Sequence, residues 1–276
     1  MRRLHLFEWE DQPWLPSVFR DFITDHLRFG LSEPMRRSLN RSIAKHLKGV
    51  FGKVETRRIV DLCSGAGGPL LEVQQILTKN LKIPVEVLLT DLYPNKEAFE
   101  RSEADGGGAV KARYESTSAF DVPEELTGVR TLFTALHHFR PEQVKLILAD
   151  AAKKRQPIAT FEPLERSWRM LTVILLDAIR RSIFLTPKVG KLTPARFIFT
   201  YLIPIAPMIM MWDGAVSVMR TYKPEELRQL AEEVGATEYD WEAGQFDHLG
   251  PYAIMMPTIY LIGCPRTAGE SVEGGR

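Results

Sequence analysis

With 276 residues, the chain is long enough for one well-buried α/β domain carrying an insertion, or for two small domains. Its 36 lysines and arginines stand against 35 aspartates and glutamates, so no global field marks a nucleic-acid binder. A hydrophobic content of 45% is that of an ordinary globular protein.

Two cysteines, Cys63 and Cys264, offer neither metal-ligand spacing nor a disulfide framework, which points to a reducing, cytoplasmic setting. The amino terminus turns acidic at Glu8, Glu10 and Asp11 before any signal-peptide core could form. Residues 1–52 read as helical. Pro13 and Pro16 mark a bend, Val18, Phe19, Phe22, Ile23 and Leu27 recur at helical spacing, and Pro34 opens a second helix through Leu39, Ile43 and Leu47. This segment is expected either to cap the edge of a ligand cleft or to serve as a packing layer.

Residues 57–69 are the most informative stretch. Ile59, Val60 and Leu62 form a β-prone run around Asp61, and Gly65, Gly67 and Gly68 permit positive φ and close backbone approach. Pro69 then suits a helix start, expected to run to about Leu77. The free amides of such a start form a pocket for a charged or polar group. Leu70 occupies the third glycine position of the dinucleotide fingerprint G-x-G-x-x-G, so that motif is incomplete.

A second strand over 85–91 ends in Asp91. A carboxylate at that strand end accepts ribose hydroxyls in nucleoside-binding α/β folds; the competing reading is a helix cap for the segment after Pro94. Leu92 and Tyr93 follow, placed to pack on a base. Gly106, Gly107 and Gly108 form a loop with no helix behind it, and residues 110–114 form a weak third strand. A fourth strand over 131–139 exits through His137 and His138. Adjacent histidines in extended chain point to opposite sides, so they are poorly placed to chelate one metal, and no metal site is expected. A helix over 141–152 leads to a fifth strand, 157–162, with Glu162 at its ligand-side end. Residues 222–235 have a proline start, an apolar stripe and a glycine stop, and strands over 238–242 and 254–263 follow. After Pro265 the chain is rich in glycine and charge and is expected to fray.

Taken in order, these segments resemble the class I S-adenosylmethionine (SAM) dependent methyltransferases of small-molecule type. The resemblance covers residues 57–162 and 220–265. It rests on the acidic residue before G-x-G, the second acidic strand end, the His-His exit and the closing helix with its two strands. It implies a Rossmann-like, seven-stranded, mostly parallel sheet whose last strand is antiparallel. The implied division is an N-terminal helical cap (1–52), a core (53–163 and 220–265), an apolar helical insertion (164–219) and a flexible tail (266–276). The implied cofactor, S-adenosyl-L-methionine, would meet Asp61 through its ammonium and the Gly65 and Gly67 backbone through its methionine and ribose parts. Asp91 would take the ribose hydroxyls, and Cys63, Leu92, Ser118, Phe120 and Thr134 complete the contacts. The family often carries an acidic residue where Ser118 stands, so the adenine amine is left to Ser118, to the backbone or to Asp121. His137 and His138 are candidate bases by position, and Glu162 is a further one. Two other readings compete: a SAM-binding partner that no longer methylates, and a nicotinamide oxidoreductase, against which Leu70 and the His-His exit count.

The insertion has a different character. Residues 168–185 are helical and strongly apolar but interrupted by Asp177 and the Arg180–Arg181 pair, and residues 197–212 are apolar throughout but cut by Pro204 and Pro207. These interruptions argue against a membrane-spanning helix, which needs about 20 apolar residues. The expectation is a lid over a small apolar or amphiphilic acceptor, with Trp212, Asp213 and Arg220 at the substrate rim or hinge. Arg180, Arg181, Lys188, Lys191 and Arg196 also suit peripheral contact with an anionic membrane. Oligomeric state is not legible.

Overall fold

The structure of the chain is a computed structural model that describes residues 1–12, 14–30, 34–65, 67–189, 192–250 and 254–266. Pro13, Lys191 and the tail expected to fray beyond Arg266 lie outside them. The chain separates into two compact units. One comprises Asn40–Glu162, Pro224–Phe246 and Ile259–Arg276; the other comprises Met1–Leu39, Pro163–Lys223 and Asp247–Thr258.

The first unit is built on a sheet. Its strands are β1 (Arg58–Asp61), β2 (Glu86–Leu89), β3 (Val110–Ala112), β4 (Val129–Phe133), β5 (Ile158–Glu162), β6 (Tyr239–Leu249) and β7 (Met255–Pro265), in the spatial order β3-β2-β1-β4-β5-β7-β6. Strands β1 to β5 are parallel, with Ile59 beside both Val87 and Val129, whereas β7 runs antiparallel to β5 with Leu261 beside Thr160. The expected Rossmann-like sheet with an antiparallel closing strand is therefore present. Ile59, Val60, Val87, Val129, Leu132, Ile158 and Phe161 are buried, as near-continuous apolar strands covered on both faces must be. Each such side chain contributes roughly 1.5–3 kcal/mol on burial.

The helices that flank these strands follow the sequence pattern closely. Helix α2 (Pro34–Lys53) buries Ile43, Leu47, Val50 and Phe51 along one stripe, and α5 (Pro141–Lys153) buries Val144, Ile147, Leu148 and Ala151. Helix α3 (Leu70–Gln75) continues as a π turn to Asn80, α4 covers Lys96–Asp105, and α9 (Pro224–Glu233) packs on α5. The order of connections reverses between β1 and β4. In open α/β sheets the carboxyl ends at such a reversal are where ligands bind.

The second unit is helical. It contains α1 (Ser17–Gly30), α6 (Trp168–Arg180) with a π turn to Leu185, α7 (Pro194–Phe197) with a π turn to Leu202, and α8 (Ile205–Arg220). One apolar cluster joins Leu164, Met170, Val173, Val218 and Met256; another joins Leu15, Ile23 and Ile209. Pro204 breaks the chain between α7 and α8 as expected, but Pro207 does not. It sits in the first turn of α8, where the amide hydrogen it lacks would have had no partner. The compact units also cut across the divisions read from sequence. Helix α2 is continuous, so its first turns fall in one unit and its remainder in the other, and residues 247–258 belong with the helices.

Candidate active site

Asp61 closes β1 and is buried. Its carboxylate is held from two sides: the Thr131 hydroxyl donates to Oδ1 at 2.6 Å and the Ser64 hydroxyl to Oδ2 at 2.7 Å. Thr131 is the β4 neighbour of Asp61 in the parallel register, so strand pairing itself supplies that donor. Burial pushes the carboxyl from the ordinary 3.8 up to about 7, against the two hydroxyls and with Asp91 adding to the rise. A cation beside Asp61 would hold it ionised, which suits the ammonium contact expected of it.

The turn that follows has left-handed backbone at Cys63 (φ 58), Gly65 (φ 51), Gly67 (φ 94) and Gly68 (φ 46), and α3 begins at Leu70 with Pro69 at its cap. Gly65 is exposed, its amide donates to Asp91 Oδ2 at 2.8 Å, and a Cβ built on it meets nothing within 4 Å. It leaves room for a ligand to approach.

Gly67 is constrained differently. It is buried, and a Cβ there would lie 2.6 Å from the Ser102 hydroxyl of α4, so its small size also serves internal packing. Gly67→Ala should therefore cost about 1–3 kcal/mol of stability in urea unfolding. Adding Ser102→Ala should recover only the steric share and leave the φ penalty; full recovery would show that backbone strain is negligible at this turn. Cys63 is no thiolate: burial, then Asp91 and Asp61, push its thiol up to about 12.

Asp91 lies two residues past β2. Besides Gly65, it accepts the Tyr93 amide on Oδ1 at 2.8 Å. It does not cap the next helix; Asn95 does, accepting the Ala98 amide at 3.0 Å. Leu92 and Tyr93 are exposed beside it. The half-buried Ser118 hydroxyl accepts the Phe120 amide at 3.2 Å, and Phe120 stands edge-on to Phe139. Asp121, another adenine candidate, has the Lys154 ammonium at 2.7 Å, which holds its carboxyl below the usual range. Thr134, exposed past the end of β4, adopts φ 52 while its amide donates to the Phe161 carbonyl at 2.9 Å.

The fourth-strand exit differs from the extended chain expected. Residues Leu136–His138 form a 3-10 turn, which brings the two imidazole rings to 4.2 Å instead of sending them to opposite sides. His137 is buried and His138 is half-buried. Glu162, read as a candidate base, is occupied by three donors. It accepts the amides of Ala135 at 3.0 Å and Leu136 at 2.7 Å on Oε1, and His137 Nδ1 at 2.7 Å on Oε2. A carboxylate oxygen only accepts, so Nδ1 carries the hydrogen in this bond. Through the last of these bonds Glu162 holds the His137 ring.

The residues assigned to the substrate rim have structural partners within the helical unit. Asp213 is buried and accepts the Trp9 amide at 2.8 Å and the Glu10 amide at 3.1 Å. Arg220, also buried, pairs with Asp11 at 2.9 Å and Glu8 at 3.1 Å and donates to the Leu6 carbonyl at 2.7 Å. The Trp212 indole donates to the Phe7 carbonyl at 2.9 Å. All three fasten residues 6–11 along α8, a long-range role that residue type alone did not disclose. Sequence reasoning also missed Ser64 and Thr131. Ser64, three residues past Asp61 in a tight turn, carried a local signal; Thr131 carried none without the strand register.

A concavity of about 560 Å³ opens at the amino ends of β1 and β2, lined by Arg57, Arg58, Gln74 and Glu86 among others. Arg57 there is spent on the carbonyls of Val54 and Thr56, at 3.0 and 2.9 Å. The opposite, carboxyl edge carries the convergent polar groups.

No protein-family model and no curated protein sequence matches the chain. Solved structures similar to it include the methyltransferase domain of bacterial CtHen1-C (11% identity, 84% of this chain and 100% of that one, TM-score 0.48). Magnesium protoporphyrin IX methyltransferase (ChlM) from Synechocystis PCC 6803, with bound SAH, is another (10% identity, 91% and 99%, TM-score 0.48). A third is a protein from Rhodobacter sphaeroides provisionally named a Zn-dependent alcohol dehydrogenase (13% identity, 90% and 98%, TM-score 0.47). Likeness at this level does not separate one chemistry from another, as the name of the third illustrates.

Proposed function

We propose that the protein is a SAM-dependent methyltransferase acting on a small apolar or amphiphilic acceptor. The observation that carries the reading is the 2.8 Å bond from the Gly65 amide to Asp91, which ties the glycine turn after β1 to the acidic end of β2. Two backbone amides use only part of the Asp91 carboxylate, which has about four lone-pair sites, so it retains acceptor capacity for a ribose. Gly65 leaves open space, and the raised carboxyl of Asp61 favours a cation beside it. These residues fit SAM, which supplies a methyl group on a sulfonium.

Around that group the chain's own residues orient the reactants and exclude water; orientation is worth about 7–11 kcal/mol in such transfers. His137, its Nδ1 fixed by Glu162, takes a proton at Nε2 from an oxygen or nitrogen acceptor. The apolar composition of residues 168–212 supports the acceptor class. Two unpaired cysteines support a cytoplasmic setting.

Titration of the purified protein with SAM, its demethylated product and NADH tests the reading. SAM and its product should bind, and Asp91→Ala should weaken both at least tenfold, about 1.4 kcal/mol. Binding of NADH in their place, or wild-type affinity in Asp91→Ala, would overturn it.

A further inference from the structure

We infer that the tip of the helical insertion is a wedge that enters one leaflet of an anionic membrane. Thirteen of the exposed large apolar side chains among the described residues lie between Trp168 and Trp212, whereas the whole sheet unit exposes four. A surface helix normally turns polar residues outward. On α6 and its π turn the exposed side chains are instead mainly Trp168, Leu176, Ile179 and Ile183, with Arg169 and Thr172 near the start, followed by Phe184 at 69% exposure. The Tyr201 hydroxyl donates to the Ile183 carbonyl at 2.8 Å, which sets this turn beside Leu202, itself 66% exposed. Two exposed apolar turns thus meet at one tip, a concentration that marks an interaction surface.

The backbone suits a shallow wedge. Among the described residues no single helix is long and apolar enough to cross a membrane, but Pro194–Leu202 and Ile205–Arg220 together reach that length and apolarity and meet at a 70° bend. The far half of α8 is committed elsewhere, through Asp213 and Arg220. Only the bend and its neighbours remain to be buried, a depth that suits an interfacial rather than a spanning element.

Charge selects the occupant. Residues 164–219 carry seven lysines and arginines against three acidic residues, with Arg166 and Arg196 buried and Arg196 paired with Asp25. Of those three acidic residues, Asp213 is buried, and Asp177 is buried while pairing with both Arg180 and Arg181. Arg180, Arg181 and the exposed Lys188 flank Phe184. An apolar tip with a basic rim matches anionic headgroups over acyl chains, whereas a second copy would bring like charge against like.

Co-sedimentation of the full chain with vesicles of phosphatidylcholine, alone or with 30 mol% phosphatidylglycerol, reads this directly. The protein should sediment with the anionic vesicles and weaken as salt is raised. Lys188→Glu should cut the partition coefficient about tenfold, and Phe184→Ser with Leu202→Ser about 30-fold or more. Both variants should keep the wild-type melting temperature and SAM titration, which shows that they fold. Absence of sedimentation with either vesicle, or sedimentation unchanged in both variants, would overturn the inference. So would self-association in solution that the double variant abolishes without any vesicle binding. Vesicle binding by a protein that fails to bind SAM would leave the wedge standing and remove the methyltransferase reading instead.

Discussion

Replacing His137 by alanine should lower the rate of methyl transfer by about 10²–10⁴-fold while SAM binding is largely kept. The expectation follows from the hydrogen-bond chain at the fourth-strand exit. Glu162 is anchored by the amides of Ala135 and Leu136 through one oxygen and by His137 Nδ1 through the other. This arrangement holds the ring through Nδ1, and on the proposed reading Nε2 is the base. Glu162→Gln keeps the shape but can present an amide N–H to Nδ1, which favours the opposite tautomer. It should cost about 10²-fold or more in kcat with little change in cofactor affinity. Measuring kcat against acceptor KM, alongside SAM titration and thermal melting, separates the roles. Equal losses of cofactor affinity and melting temperature would make the dyad structural. Full turnover in His137→Ala would mean that transfer rests on positioning alone.

Asp61→Asn should stabilise the free protein above neutral pH and weaken SAM binding at least tenfold. The wild-type carboxyl titrates near 7 in the folded protein instead of near 3.8. The folded state therefore holds a proton that the unfolded chain has already lost. That contribution to stability is complete below about pH 4 and is lost as pH rises through 7, a swing on the order of 4 kcal/mol at 1.36 kcal/mol per unit. The melting temperature of the free protein should fall between pH 5 and pH 8, and the asparagine variant should lack that slope. Bound SAM should flatten the wild-type slope, because its ammonium would pair with the ionised carboxylate. If Asp61→Asn melts below wild type at pH 8, the buried charge is instead required by Ser64 and Thr131, and the cation argument fails.

These two sites were legible to different degrees. Asp61, the glycine turn and Asp91 could be found because each is a local event: a β-prone run, a demand for positive φ, an acidic residue at a strand end. Their assignment to a ligand cradle is supported by the bond between Gly65 and Asp91, which closes two stretches 26 residues apart. The histidines were visible as residues but not as a pair. Whether the exit of β4 is extended or a 3-10 turn depends on Glu162, which collects the amides of Ala135 and Leu136 from the next strand. The packing demand on Gly67 was not legible for a related reason. Its closest neighbour, Ser102, comes from a helix whose packing cannot be read from the turn itself.

What the amino-acid sequence determined alone is whatever depends on residues a few positions apart. That includes the alternation of strands and helices, the break at Pro204, the apolar stripes of α2 and α5, and the paired acidic strand ends. The tertiary structure alone decided the placement of β7 between β5 and β6, the Thr131 donor to Asp61, and the fastening of residues 6–11 by Asp213 and Arg220 across some 200 positions. It also decided which apolar side chains of the insertion stay exposed. The physical reason is common to all of these. Backbone geometry and burial period are written into neighbouring residues, whereas the partner of a buried carboxylate or guanidinium is whichever group the packed chain brings within hydrogen-bond reach.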